Sequence, residues 1–228
     1  MKNVAGNDAK WVDVAAERFP GWIDSFARRH GDPEALAVVP GTVPLTFAAA
    51  DGTTAECHPP FGESFAVPSG VIGPAEAAAL IAAHARAPRA VGVLLVRLGG
   101  YAAGVFTGYP PTLADSKVGS RLVHGRSAAG GWSQHRFARR REKQANEALE
   151  AAASTALAVF GRGPKLDAVV LGGDKRAVAE LRDDPRLAAY LALATERFLT
   201  VPDPKRAILE GTPKLFTAVR IRLTEPAP

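Results

Sequence analysis

The chain has 228 residues, of which 47% are apolar and 22% are charged, a balance typical of folded globular proteins. This length suffices for one or two domains, and the composition excludes a chain that is disordered throughout. Cys57 is the single cysteine, so an internal disulfide and a zinc site built on several thiolates are both excluded.

The net charge of +5 is concentrated in one segment. Residues 121–150 hold seven basic and three acidic side chains, whereas the other 198 residues hold 21 basic and 20 acidic ones. A positive segment of this kind is typical of proteins that bind polyanions, nucleic acid above all. The alternative is a basic helix face exposed to water.

The sequence contains no run of roughly 20 apolar residues, the length that a membrane-spanning helix needs. The first residues carry charges throughout and lack the apolar run of a signal peptide. Together with the unpaired Cys57, these features predict a cytoplasmic protein that has no membrane partner.

Residues 1–88 are predicted to form an accessory α+β region of helices and a β-hairpin. The spacing of apolar residues over 11–29 predicts helix at both ends of that stretch, with a break at Pro20. Strand-forming segments on either side of Asp51-Gly52 predict the hairpin. Pro74 then begins a second helix, because proline is favoured in the first turn.

Residues 89–228 are predicted to form an α/β domain in which a mixed β-sheet is flanked by helices, because strand and helix patterns alternate along it. The run 90–98 is almost continuously apolar, as in a strand covered on both faces. Further strands are predicted at 101–109, 117–124, 165–173, 196–202 and 214–223.

A long helix is predicted at 134–160, after a glycine-rich loop at 125–133. Its second half carries an apolar stripe, whereas its first half is basic and has Phe137 as its one large apolar side chain. We therefore expect the second half to pack on the sheet and the first half to point towards solvent or a ligand.

The usual catalytic signatures are absent from the sequence. It has no Walker loop, no GxGxxG after a strand and no pair of histidines at metal-binding spacing. No metal or other cofactor is therefore expected. Gly172-Gly173-Asp174 follows a strand and could bind phosphate at a helix N-terminus, but an ordinary strand-to-helix turn is the better interpretation.

One stretch of the sequence is a more specific indication of function. Residues 125–148 combine the glycine-rich loop, the sequence Gly131-Trp132-Ser133-Gln134 and an arginine-rich helix. This stretch resembles the catalytic loop of the Vms-type release factors, in particular their actinobacterial branch, which carry Gly-x-x-Gln at this place. The resemblance covers roughly residues 89–224, including the sequence Leu171-Gly172-Gly173-Asp174-Lys175 before a predicted helix.

The resemblance implies a fold similar to the central catalytic domain of the eukaryotic class I release factor. It implies a peptidyl-tRNA hydrolase that releases nascent chains on stalled large ribosomal subunits, in ribosome-associated quality control. The expected partners are the large subunit, its ribosomal RNA and the CCA end of peptidyl-tRNA. The protein is expected to act as a monomer and without a cofactor, and 1–88 would serve in docking to the ribosome.

The resemblance also assigns roles to residues. Gln134 would position water at the ester, since its amide both accepts and donates hydrogen bonds, and Gly130 and Gly131 would let the backbone approach the terminal adenosine. Trp132 would either stack on a base or anchor the loop on its own domain. The side chains expected to contact tRNA or ribosomal RNA are Arg126, Trp132, Arg136, Arg139, Arg140, Arg141 and Lys143.

The rival hypothesis is a ribosome- or RNA-binding protein of the same fold that does not catalyse hydrolysis. The two hypotheses differ at Gln134. A hydrolase loses activity in Gln134→Ala but keeps RNA binding, whereas a binding protein depends only on the basic residues.

Overall fold

The computed structural model describes residues 10–39, 43–67, 72–97, 100–120 and 133–226, with backbone alone for 133–142. The chain forms two compact units. The first unit is Met1–Ala87 together with Lys214–Pro228, and the second unit is Pro88–Pro213.

In the described residues the strands are β1 (Lys10–Val14), β2 (Ala37–Val39), β3 (Leu45–Ala48), β4 (Thr54–His58), β5 (Arg89–Arg97), β6 (Gly100–Gly108), β7 (Thr112–Ser120), β8 (Ala168–Gly173), β9 (Ala194–Leu199) and β10 (Val219–Thr224). The α-helices are α1 (Phe19–Arg29), α2 (Pro74–Ala85), α3 (Ser133–Arg162), α4 (Lys175–Leu181), α5 (Ala188–Leu191), α6 (Arg206–Glu210) and α7 (Pro213–Phe216).

The first unit is an antiparallel sheet with helices on one face. The described strands follow the order β1-β10-β4-β3-β2. Helices α1 and α2 pack on the inner face, where Phe19, Phe26 and Ile81 join Phe47 and Ile221 in one apolar core. The predicted α+β character of this region is therefore confirmed.

The hairpin prediction is confirmed, since β3 and β4 pair antiparallel on either side of Asp51-Gly52. Gly52 has φ +86°, a conformation that favours glycine. The Thr53 N–H donates to Asp51 Oδ1 at 2.8 Å, and this bond, together with the side chain of His30, holds the pKa of Asp51 below its usual value.

The prediction of helix at both ends of 11–29 is wrong at the first end. Residues Lys10–Val14 form β1, because they alternate between the two sheet faces and pair with β10. Pro20 does not break a helix but lies in the first turn of α1, where a missing N–H costs no hydrogen bond.

The last strand of the chain lies in the first unit. The strand predicted at 214–223 in the second region lies instead in the first sheet, where β10 pairs with β1 on one side and β4 on the other. It is also shorter than predicted, because residues 214–216 belong to α7. Val219 and Ile221 are fully buried in the first core. An amphipathic strand matches any sheet with an open apolar edge, so its pattern could not reveal which sheet it joins.

The second unit contains the predicted mixed sheet, with the described strands in the order β7-β6-β5-β8-β9. Strands β5, β6 and β7 are antiparallel neighbours, whereas β8 and β9 run parallel to β5. The predicted apolar strand is β5 at the centre, whose residues from Val91 to Val96 are all buried. The mixed α/β fold class is therefore confirmed.

Helices cover both faces of this sheet. On one face, Ala152, Ala156 and Phe160 of α3 join Leu94 and Val105 in the core of the unit. On the other face, Leu209 of α6 lies so close to Gly104 that an added Cβ would be 3.0 Å from it. The second half of α3 thus packs on the sheet as predicted.

Strand β7 differs from its prediction. It begins at Thr112, five residues before the predicted strand at 117–124, and its pairing with β6 shifts register between Val105 and Phe106. Because β7 lies at the edge of the sheet, its side chains are mostly exposed or half-buried, and an apolar pattern is a poor guide to such a strand. Residues 121–124 lie outside the described residues.

Candidate catalytic loop and nucleic-acid interface

The predicted site lies where β7 leads into α3. β7 ends at Ser120 and α3 begins at Ser133. The predicted residues Arg126, Gly130, Gly131 and Trp132 lie outside the described residues. In α3, backbone alone is described for Gln134, Arg136, Arg139, Arg140 and Arg141, whereas Lys143 is exposed.

The end of β7 is held by an aromatic ring. Gly119 pairs with Tyr101 of β6 across the sheet, and the Tyr101 ring occupies the place that a Cβ at Gly119 would need. An aromatic side chain over a cross-strand glycine covers backbone that the glycine leaves bare. Gly119 and Tyr101 therefore fix the point from which the chain leaves the sheet towards the predicted loop.

Helix α3 has 30 residues, which corresponds to a length of about 45 Å. Among the residues of α3 whose side chains are described, 143–162, the buried positions begin at Ala152, and residues 143–151 are each exposed or half-buried. The nine-residue strands beside it span only about 30 Å. The described side chains of α3 before Ala152 therefore contribute no fully buried residue to the core.

Two ion pairs hold α3 at its middle and at its end. Glu150 accepts from Arg186 at 2.9 and 2.6 Å, and the same guanidinium donates to Asp184 at 2.6 Å. These bonds lower the pKa values of Glu150 and Asp184 and raise that of Arg186. At the C-terminal end, Arg162 donates to Asp115 of β7 at 2.8 and 3.0 Å.

These ion pairs of α3 could not be predicted from the sequence. Glu150 and Arg186 are 36 residues apart, and Arg162 and Asp115 are 47 apart. No local pattern connects such pairs, because their partners are set by the packing of α3. A glycine inside an otherwise regular strand was the one available signal for the contact at Gly119.

The alternative phosphate site at Gly172-Gly173-Asp174 is a strand-to-helix turn. Asp174 accepts from the Arg176 N–H at 2.8 Å, so its own carboxylate caps α4. Gly173 has φ +102°, and a Cβ there would collide with the carbonyl oxygen of Val96. These glycines serve the geometry of the turn, and the negative cap disfavours a phosphate.

The cysteine is not suited to nucleophilic chemistry. Cys57 is fully buried in the core of the first unit, and burial raises the pKa of its thiol. Among the described residues, no group of histidine, cysteine and carboxylate side chains could hold a metal ion. No helix in the same residues is long and apolar enough to cross a membrane.

Comparison with solved structures finds distant similarities. The chain is 14% identical to the archaeal translation termination factor aRF1, with a TM-score of 0.40, over 56% of this chain and 36% of that one. It is 12% identical to an "Archaeal protein", with a TM-score of 0.30, over 89% of this chain and 63% of that one. The chain thus spans about one third of the length of aRF1 and somewhat under two thirds of the length of the second protein.

No curated protein matches the chain. A family model does match, and it covers residues 89–222, which is more than half of the sequence and includes both β7 and α3. Its description is "Actinobacteria/chloroflexi VLRF1 release factor". The chain therefore belongs to this release factor family.

Proposed function

We propose that this protein is a peptidyl-tRNA hydrolase that releases nascent chains from tRNA on stalled large ribosomal subunits. One observation carries the proposal. In a chain of a release factor family, a Gly-x-x-Gln sequence lies at the start of a long helix, with Gln134 as the second residue of α3. The anchored second half of that helix gives the sequence a fixed support.

The reaction needs little chemistry from the protein, because the ester between peptide and tRNA is already activated. Water attacks the ester carbonyl carbon, the bond from that carbon to the 3′ oxygen breaks, and a proton passes to the 3′ oxygen. Gln134 does not titrate, so it is no general acid or base. Its amide carbonyl accepts from the water and orients it, while its NH₂ group is free to donate.

The start of α3 supplies donors for the developing charge. The first four N–H groups of an α-helix have no acceptor within the helix, and the helix dipole makes this end positive. Here they belong to residues 133–136, which include Gln134 itself. A positioned donor of this kind contributes about 3–4 kcal/mol to transition-state stabilisation in hydrolases. No metal or other cofactor is required.

The basic half of α3 binds the RNA phosphates. At 100° per residue, helix positions 136, 140 and 143 share a stripe roughly opposite Ala152 and Ala156, which are buried. Guanidinium groups suit phosphate because their N–H groups form paired hydrogen bonds. Arg126, Arg139 and Arg141 are further proposed RNA contacts, although position 141 lies by the same rule on the side of Ala152 and outside this stripe. Trp132 stacks on a base or anchors the loop.

The second unit, Pro88–Pro213, acts as the catalytic part, and the first unit, Met1–Ala87 together with Lys214–Pro228, is an accessory part that docks on the ribosome. The protein works as a monomer in the cytoplasm, where its substrate is located. The partners are the large subunit, its ribosomal RNA and the CCA end of peptidyl-tRNA.

The test is single-turnover release of labelled peptide from purified large subunits that carry peptidyl-tRNA. Gln134→Ala is expected to slow release about 100-fold or more while binding to the subunit stays within about twofold. Asn146→Ala is the matched control, because Asn146 is an exposed amide on the same helix. It is expected to release peptide at the wild-type rate.

Equal release by wild-type protein and Gln134→Ala contradicts the role of Gln134. Tight subunit binding by both proteins without any release contradicts the hydrolase and supports the non-catalytic binding protein. In that case the triple variant Arg139→Ala/Arg140→Ala/Arg141→Ala weakens binding whereas Gln134→Ala does not.

A further inference from the structure

The ion-pair network around Arg186 meets α3 at the point where the packing of that helix in the core begins. Ala152 is the first fully buried residue among the described side chains of α3, and Leu149 is half-buried against the same core. Glu150, which Arg186 contacts, lies between these two residues. Gln134 lies 16 residues before Glu150 on the same continuous helix, a distance of about 24 Å.

Arg186 is fixed from its own side of the bridge. Its neighbour Leu187 is buried in the core of the second unit. The backbone N–H of Arg186 donates to Asp184 Oδ1 at 2.9 Å, and Nε and Nη2 of its side chain donate to both carboxylate oxygens of Asp184. One carboxylate thus holds both the backbone and the guanidinium, so the side chain is already oriented for a second partner.

The same guanidinium presents a pair of N–H groups to α3. Nη1 donates to Glu150 Oε1 at 2.9 Å, and Nη2 donates to Glu150 Oε2 at 2.6 Å. Such a paired contact fixes orientation as well as distance. Ser154, one turn further along α3, also donates to Glu150 Oε1 at 3.0 Å. The helix is therefore joined at Glu150 to a group that the core holds in place.

Stability alone is a weak reason for this arrangement. The side chains of Glu150 and Arg186 are 60% and 46% exposed, and exposed ion pairs contribute little to the free energy of unfolding. Direction is a stronger reason. A rotation of α3 by about 10° at Glu150 would move a residue 24 Å away by about 4 Å, whereas a misplacement of about 1 Å already slows a reaction.

We propose that Arg186 is a positioning residue, which fixes the direction of the N-terminal half of α3 through Glu150 and thereby the position of Gln134. The proposal rests on the proposed function for its effect on peptide release. Its effect on the direction of the helix can be measured on the free protein, without ribosomes.

The direction of α3 is measured on the full chain as the distance between two spin labels. Lys143→Cys and Lys117→Cys provide exposed sites on α3 and on β7, and Cys57 stays unlabelled because it is fully buried. Lys143 lies about 10 Å from Glu150 along the helix, so Arg186→Ala is expected to widen the distance distribution by about 2–4 Å. An unchanged distribution would overturn the proposal.

Arg162→Ala is the matched control, because Arg162 also joins α3 to a carboxylate, at 2.8 Å from Asp115. The adjacent residues Val159 and Phe160 are buried in the core, so this end of the helix is held without the ion pair. The control is expected to leave the distance distribution unchanged. A widening as large as that in Arg186→Ala would show that the loss of any ion pair loosens α3, and would overturn the proposal.

Single-turnover peptide release separates positioning from folding. Arg186→Ala is expected to lower the maximal rate at saturating protein about tenfold, while the dissociation constant for the subunit stays within about threefold of wild type. A variant that is only partly folded needs more protein to saturate the subunits but reaches the wild-type maximal rate. A wild-type maximal rate in Arg186→Ala would therefore overturn the proposal.

Glu150→Ala removes the other end of the bridge and is expected to lower the maximal rate to the same extent. Because the two side chains act as one unit, Glu150→Ala/Arg186→Ala is expected to be no slower than either single variant, and additive losses would contradict the proposal. Absence of release by the wild-type protein would count against the hydrolase alone, since the label distances still decide whether Arg186 directs α3.

Discussion

The two units of the molecule differ in where their charge lies. The first unit has nine basic and eleven acidic side chains, whereas the second has nineteen basic and twelve acidic. Within the second unit, residues 121–143 hold seven of the basic side chains and one acidic one. The remainder of that unit is close to neutral, so the positive charge is a property of one segment and is not needed to form the fold.

The two units also fill their cores differently. The first unit relies on large aromatic side chains, with Phe19, Phe26 and Phe47 fully buried. In the second unit, neighbouring residues pack directly against the backbone of glycines. Cβ atoms added at Gly92 or Gly172 would lie 2.7 Å from the nearest atom of Leu166 or Leu199, respectively. The stability of an aromatic core falls most when a large side chain is shortened. The stability of a core with atoms packed against glycines falls most when atoms are added at those glycines.

The largest expected effect comes from removing the last strand. Truncation after Pro213 deletes β10, which lies between β1 and β4 and buries Val219 and Ile221. We expect the first unit to lose protection from hydrogen exchange throughout its sheet, while β5 and β8 keep theirs. Hydrogen–deuterium exchange with mass spectrometry reads both units in one experiment.

Truncation after Glu225 is the matched control, because it removes residues beyond β10 and leaves every strand intact. It is expected to preserve protection in both units. Retention of the first sheet without β10 would contradict the strand order given above.

The next effect is expected at Gly173. Gly173→Ala places a Cβ against the Val96 carbonyl oxygen at φ +102°, and we expect it to destabilise the second unit by about 2–3 kcal/mol. Gly73→Ala is the control in the first unit, since a Cβ there would meet no atom within 4 Å. Chemical denaturation measures the change, and equal stability of the two variants would refute the strain at Gly173.

Regular elements with a strong pattern could be predicted from the sequence. The apolar run of β5, the two-part pattern of α3 and the proline at the start of α2 each express a local physical preference. The partner of β10 could not be predicted, because pairing depends on which sheet has an open edge. The start of β7 was misplaced for a related reason, since an edge strand has little apolar pattern.

The candidate site was predictable only in part. The Gly-x-x-Gln sequence and the basic segment are visible in the sequence, and the family model covers the residues that form them, whereas the roles of these residues stay predictions. The contact between Trp11 and Arg220 could not be predicted, because the stretch that begins at residue 11 was predicted as helix and Arg220 lies more than 200 residues away. Contacts of this kind arise from strand register, which no local pattern encodes.

A smaller effect with a defined pH dependence is expected at Arg186. Its bonds hold the pKa values of Glu150 and Asp184 below their ordinary values, so the folded state gains stability when these carboxylates are ionised. That gain is present at neutral pH and is lost as the pH falls below about 4. Arg186→Ala is therefore expected to lower the melting temperature at pH 7, and its difference from wild type is expected to shrink progressively as the pH falls from about 4 through the lowered pKa values of Glu150 and Asp184.

The control for Arg186 is Arg176→Ala. Arg176 pairs with Glu180 inside a single helix and is highly exposed, so its removal leaves α3 untouched. A pH-independent loss of stability in Arg186→Ala would mean that the packing of its side chain matters more than its ion pairs.

The smallest expected effect runs in the opposite direction and concerns the first unit. Gly21 lies in α1, and a Cβ there would meet no atom within 4 Å. Alanine costs less conformational entropy than glycine in a helix, so Gly21→Ala is expected to stabilise the first unit by about 0.5 kcal/mol. This corresponds to a rise in melting temperature of about 2–4 °C for a unit of this size. If the second unit is independent, its hydrogen-exchange protection stays unchanged in this variant, whereas a parallel rise in both units would show that they unfold together.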